Sequence, residues 1–104
     1  MTKQRYKDTA VRKQQIVDAG LALAEANGVD NVTRDAIAQR VGVSGAAVQY
    51  HFNTVKQLRR AIKRAAVASP WSNLRTVARL VVAEDPAVEG LDPVVRASAM
   101  EQFT

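Results

Sequence analysis

The sequence predicts an all-α fold: a three-helix unit containing a helix-turn-helix, then a long fourth helix and one or two short C-terminal helices. Three observations carry this. Apolar residues recur three and four positions apart through most of the chain, the period of one helix face. No segment alternates apolar and polar residues as a half-buried strand does, and no hairpin turn is present. The breaks between periodic segments hold glycine, proline and Ser/Thr, the residues that stop and start helices. A chain of 104 residues suits one domain of ordinary size, and an apolar fraction of 47% can fill a modest core.

The first helix spans about Thr9 to Asn27, with Ile16, Ala19, Gly20, Leu23 and Ala24 on one face. Gly28 stops it, because glycine takes the left-handed conformation without a steric penalty. Thr33 is the expected N-cap of the second helix, with Asp35 in its first turn and Ile37, Ala38 and Val41 facing inward. Gly42 ends that helix, Val43 plugs the turn, and Ser44 caps a third helix running through His51 or Phe52.

Asn53 breaks the third helix, and Thr54-Val55-Lys56-Gln57 has the T-x-x-Q form of a capping box. The fourth helix extends to about Ala68, with Val55, Leu58, Ile62 and Ala65 as its apolar stripe. Ser69 and Pro70 suit the start of a fifth helix with Trp71, Leu74, Ala78 and Val81 on its face. Glu84-Asp85-Pro86 closes it, and Asp92-Pro93 opens a last short helix carrying Val94, Val95, Met100 and Phe103. The predicted organisation is residues 1–68, with a basic N-terminal arm, followed by a helical extension over residues 69–104.

Composition excludes several functions. There is no cysteine and one histidine, which removes disulfide scaffolds, thiolate zinc sites and cysteine nucleophiles. The longest stretch without Asp, Glu, Lys or Arg, Val41 to Val55, is too short and too polar to span a membrane. The opening MTKQRYKD does not resemble a secretory signal, so a cytoplasmic protein is expected. No Gly-rich phosphate loop or metal-ligand spacing occurs, and His51 has no compelling carboxylate neighbour in sequence. No enzyme activity, catalytic residue, cofactor or metal is therefore expected.

Charge is informative through its distribution. Residues 1–64 hold twelve basic and five acidic residues, a net +7, whereas residues 65–104 hold three and five, a net −2. The first part is suited to meet a polyanion. Within it, TRDAIAQRVGVSGAAVQYHF (residues 33–52) has the spacing that a helix-turn-helix needs. Ala38 is the small contact between helices, Gly42 the turn residue, and Ile37, Val41, Val43 and Val48 the inward side chains.

Residues 16–58, IVDAGLALAEANGVDNVTRDAIAQRVGVSGAAVQYHFNTVKQL, resemble the N-terminal DNA-binding domain of TetR/AcrR transcriptional regulators. The resemblance rests on Ile16-Val17, Gly28, Thr33, Ile37-Ala38, Gly42-Val43-Ser44, His51-Phe52 and Leu58. It covers a little under half of the chain closely and extends loosely to about Ala68. Two positions depart from the family pattern. Gln49 stands where a tyrosine is usual, with the aromatic next door at Tyr50, and Val55 stands where a phosphate-binding lysine is usual, with Lys56 adjacent. Family members also continue into a helical ligand-binding and dimerisation domain that holds the effector pocket, and six or so helices leave little room for a drug-sized cavity within these residues.

The resemblance implies a transcriptional regulator, with repression as the expected outcome, that reads double-stranded DNA through a recognition helix over about 44–52. In such motifs this helix enters the major groove N-terminus first. Ser44, Gly45, Ala46 and Ala47 are small enough for close approach, and an alanine methyl can touch a thymine methyl. Gln49 is the expected base reader, since its amide can pair with adenine N6 and N7 together; the alternative is a solvated helix residue. Tyr50 is suited to a phosphate or to packing on sugar and thymine, or else packs within the protein. Thr33, Arg34, His51 and Lys56 are expected phosphate contacts, although Arg34 is also long enough for a groove edge and His51 can instead bond inside the hairpin. Arg59, Arg60, Lys63 and Arg64 are expected to form an outer solvated face, and Lys3, Arg5 and Lys7 to follow the DNA backbone or minor groove.

The apolar residues of the C-terminal part exceed what two short helices can bury; some are expected to pack on the first and fourth helices, and the remainder point to a homodimer through residues 70–104 on a palindromic operator. The competing expectation is a shortened regulator that pairs with a full-length TetR-type repressor and blocks it. The near-bare Gly45-Ala46-Ala47 stretch favours that reading, while the basic first half and Gln49 oppose it.

Overall fold

The computed structural model describes the backbone of residues 2–103 and the side chains of residues 9–103. Six α-helices follow in order: α1 (Thr2–Asn27), α2 (Arg34–Val41), α3 (Gly45–His51), α4 (Val55–Ala68), α5 (Leu74–Val82) and α6 (Pro93–Met100). Short 3-10 turns at Val29–Asn31, Pro70–Ser72, Pro86–Val88 and Glu101–Phe103 join or extend them. The fold is all-helical, as expected, with no strand among the described residues. The first helix begins well before Thr9, so the backbone of the basic arm is helical; the side chains of Lys3, Arg5 and Lys7 lie outside the described residues.

Local chemistry sets most boundaries. The hydroxyls of Thr33, Ser44 and Thr54 each accept a hydrogen bond at 3.1 Å, from the backbone N–H of Ala36, Ala47 and Gln57 respectively. Each thereby satisfies one of the donors that a helix start leaves unpaired. Gly42 takes the left-handed conformation (φ 84°) and its N–H donates to the carbonyl of Ala38 at 2.8 Å, which turns the chain into α3. Asp92 caps α6 through the N–H of Val94 at 2.8 Å, with Pro93 in the first turn.

Two apolar clusters hold the helices together. The larger joins Ile16, Ala19 and Ala24 of α1 to Ile37 and Ala38, Val48 and Phe52, and Leu58 and Ile62 of α4. The smaller gathers Ala66, Val77, Ala78 and Ala99, and Leu21 packs against both. Gly20 makes the α1–α4 crossing possible: a Cβ there would stand 2.5 Å from Cδ1 of Ile62 and 2.7 Å from its Cγ1. A side chain at this position would collide with a fully buried isoleucine.

Polar contacts reinforce the junction of the two clusters. The Glu25 carboxylate accepts from the N–H of Arg75 at 3.2 Å, the N–H of Thr76 at 2.7 Å and the Thr76 hydroxyl at 2.8 Å. It thus caps the N-terminus of α5 from α1, where a carboxylate also favours the helix dipole. Arg79 returns the contact by donating to the carbonyl of Ala24 at 2.8 Å.

Three expectations are corrected. Trp71 does not lie on the buried face of the fifth helix. Residues Pro70–Ser72 form a separate 3-10 turn, the buried Asn73 donates to the Ser69 carbonyl at 2.8 Å, and α5 starts only at Leu74, leaving Trp71 60% exposed. Leu74, Ala78 and Val81 pack inward as expected, joined by Thr76, Val77 and Leu80. In α4 the fully buried position is Ala66 rather than Ala65, because the helix turns toward the second cluster beyond Ile62. In α6 Val95 and Ala99 are buried, whereas Val94 and Met100, and Phe103 in the turn that follows, are exposed.

Candidate nucleic-acid interface

The helix-turn-helix is built by α2 and α3. Val48 is fully buried in the main cluster and fixes the inner side of α3. Ala46, Gln49 and Tyr50, three and four residues apart, therefore share the outward side, and all three are exposed, Tyr50 by 75%. Gly45 and Ala47 are half-buried, and Ser44 is exposed at the helix start. The C-terminal helices leave this face uncovered.

Thr33, Arg34, Gly45 and Gln49 come together around a shallow depression of about 290 Å³ between the starts of α2 and α3. Asp35, which sequence reasoning placed only as a helix-start residue, lines the same depression. Its Oδ1 lies 3.3 Å from where a Cβ on Gly45 would stand, so glycine lets the carboxylate approach the α3 backbone. The Thr33 oxygen accepts its cap bond but keeps its own proton to donate outward.

A second group forms at the end of α3. The rings of Tyr50 and His51 meet edge to face with centroids 5.1 Å apart, and Lys13 Nζ lies 5.3 Å from the centroid of the Phe52 ring. The His51 imidazole makes no hydrogen bond within the described residues, so the bonded-in-hairpin alternative finds no support. Burial, and then the charges of Lys13 and Arg12, lower its pKa below the ordinary histidine value of 6.5. Arg12 and Lys13 are the residues that sequence reading missed here. Their adjacency was visible, but the fold alone brings α1 beside the end of α3.

Lys56 stands apart, exposed in the first turn of α4 and lining a different concavity with Arg60 and Arg64. The expected solvated face of α4 is also corrected. Arg59 donates to the Val32 carbonyl through Nε at 3.3 Å and Nη2 at 3.1 Å, and Lys63 pairs with Asp85 at 2.7 Å. Both cations are spent on holding α4 to neighbouring segments, which leaves Arg60 and Arg64 without such partners among the described residues. No group of three His, Asp or Glu side chains with metal-binding geometry occurs among the described residues. No helix there is long and apolar enough to cross a membrane.

Comparison with known proteins matches residues 16–62 to the family described as bacterial regulatory proteins, tetR family. The helix-turn-helix segment belongs to the TetR family. Two relatives from Pseudomonas putida align with 41 residues of the chain at 46% identity. They are HTH-type transcriptional regulator SrpR and Uncharacterized HTH-type transcriptional regulator TtgW. In each case the alignment covers 39% of this chain, and it spans 19% of SrpR and 31% of TtgW. No solved structure gives a significant match. The TetR segment thus comprises the C-terminal half of α1, the helix-turn-helix and the first half of α4, which are the elements of the larger apolar cluster.

Proposed function

We propose that the chain is a sequence-specific regulator of transcription that binds double-stranded DNA through α3. The observation that carries this reading is the exposed outward side of a recognition helix whose inner side is locked by Val48. Gln49 reads a base edge, and Ser44, Gly45, Ala46 and Ala47 permit close approach. Thr33, Arg34, Tyr50, His51 and Lys56 hold the phosphates on either side. Repression is the simplest output, since a domain seated on a promoter blocks access without a further contact. DNA as partner also sets the place of action, the cytoplasm and its nucleoid.

Residues 1–68 serve as the reading unit and residues 69–104 as a dimerisation segment. Support for pairing comes from the exposed apolar side chains of Trp71, Val82, Val94 and Phe103. A two-fold pair would read both halves of a palindrome.

Anisotropy titration of the chain against operator and random duplexes tests the reading. With about four to six phosphate contacts per protomer, log K is expected to fall with log salt at a slope of about −4 to −5. Gln49→Ala should cost about 1–3 kcal/mol at one base position and leave random duplex unaffected, whereas Lys56→Ala should weaken both alike. A slope near zero defeats the DNA reading and leaves the pairing role with a full-length repressor in its place.

A further inference from the structure

A sizeable concavity lies outside the helix-turn-helix. It is a groove of about 680 Å³ between α4, the Pro86–Val88 turn and the Val29–Asn31 turn. That volume falls within the roughly 300–1,000 Å³ typical of small-molecule sites. Lys56, Arg60 and Arg64 line it at intervals of four residues, one stripe along α4 that rises about 12 Å. None of the three has a hydrogen-bond or ion-pair partner among the described residues. Two other lining cations are already engaged, Arg59 with Val32 and Lys63 with Asp85. Val55, Pro86 and Ala87 add apolar surface to the same groove.

We propose that this groove, where three unpartnered cations on α4 face the apolar Pro86–Ala87 turn, binds a small polyphosphate anion carrying a ring, of the nucleoside polyphosphate class. The cation stripe takes the phosphate chain through charge-assisted hydrogen bonds, and arginine suits this by its forked donors. The apolar surface takes the ring. Lys56, in the first turn of α4, can also meet a DNA phosphate, so the anion rests chiefly on Arg60 and Arg64, the two cations that the DNA-binding reading does not use.

Calorimetric titration of the whole chain with tripolyphosphate, and separately with ATP, both without magnesium at physiological salt, tests this. Expected is saturable one-to-one binding of both, with ATP the tighter. Arg60→Gln and Arg64→Gln should each weaken it about tenfold, the worth of one charge-assisted bond. Arg75→Gln, which removes the same charge elsewhere, should leave it unchanged, and Asp30→Asn should tighten it. Absence of saturation, or an equal loss with Arg75→Gln, overturns the site. Equal affinity for ATP and tripolyphosphate overturns the ring contact. If Arg60→Gln and Arg64→Gln weaken duplex binding but not tripolyphosphate binding, the groove is a DNA track and the proposal fails. These titrations contain no DNA, so their outcome is separable from that of the DNA-binding reading.

Discussion

At the scale of single residues, the proposed interface divides into side chains that discriminate and side chains that anchor. Gln49 projects an amide with one donor end and one acceptor end from a helix otherwise nearly bare, so a base edge can be read without steric competition. His51 is tuned differently. Because burial and the nearby Lys13 and Arg12 charges depress its folded pKa, the unfolded chain binds the proton more readily. Its contribution to stability is therefore complete above the unfolded value of 6.5 and is lost as pH falls through the folded value. A phosphate beside the ring works in the opposite direction and favours protonation. Duplex affinity should accordingly rise as pH falls from about 8 toward the histidine range, and His51→Asn should flatten that rise. A wild-type titration already flat over the range would separate His51 from the phosphates.

At the scale of elements, the crossing of α1 and α4 depends on the absence of one methyl group. Gly20→Ala should cost about 1–3 kcal/mol, the usual penalty for overpacking a filled core, read as a lower urea midpoint. Ile62→Val, which removes the Cδ1 atom nearest the intruding carbon, should recover part of that loss. No recovery would place the strain elsewhere. Sequence reasoning found Gly20 on the apolar face but had no means to see that its partner lay forty-two residues away. Helix starts were legible for the converse reason: Thr33, Ser44, Thr54 and Asp92 each act on a backbone group two or three residues on, so their chemistry is contained in the local sequence. The fates of Arg59 and Lys63 were not legible. A basic stripe on a helix looks solvated until the fold brings the Val32 carbonyl and the Asp85 carboxylate within reach. For the site, α3 and its outward residues could be placed by periodicity, whereas Asp35, Arg12 and Lys13 required knowledge of which helix ends meet.

At the scale of the whole molecule, the C-terminal helices are tied to α1 and α4 by the smaller apolar cluster and by a set of polar contacts, three of which Glu25 makes. Glu25→Ala leaves the first amides of α5 without their carboxylate, and should cost about 2 kcal/mol. The loss should be uneven. Hydrogen exchange is expected to quicken in α5 and α6 while α2 and α3 keep their protection, because the larger cluster does not include Glu25. A uniform change across all six helices would show instead that the two clusters melt as one unit.

The displacement of Trp71 from the core has a practical result. It is the sole indole of the chain, and it sits at 60% exposure within the segment proposed for self-association. Its emission is thus a built-in gauge of what covers that segment, needing no attached dye. A shift to shorter wavelength on concentrating the protein would mark a second copy closing over it.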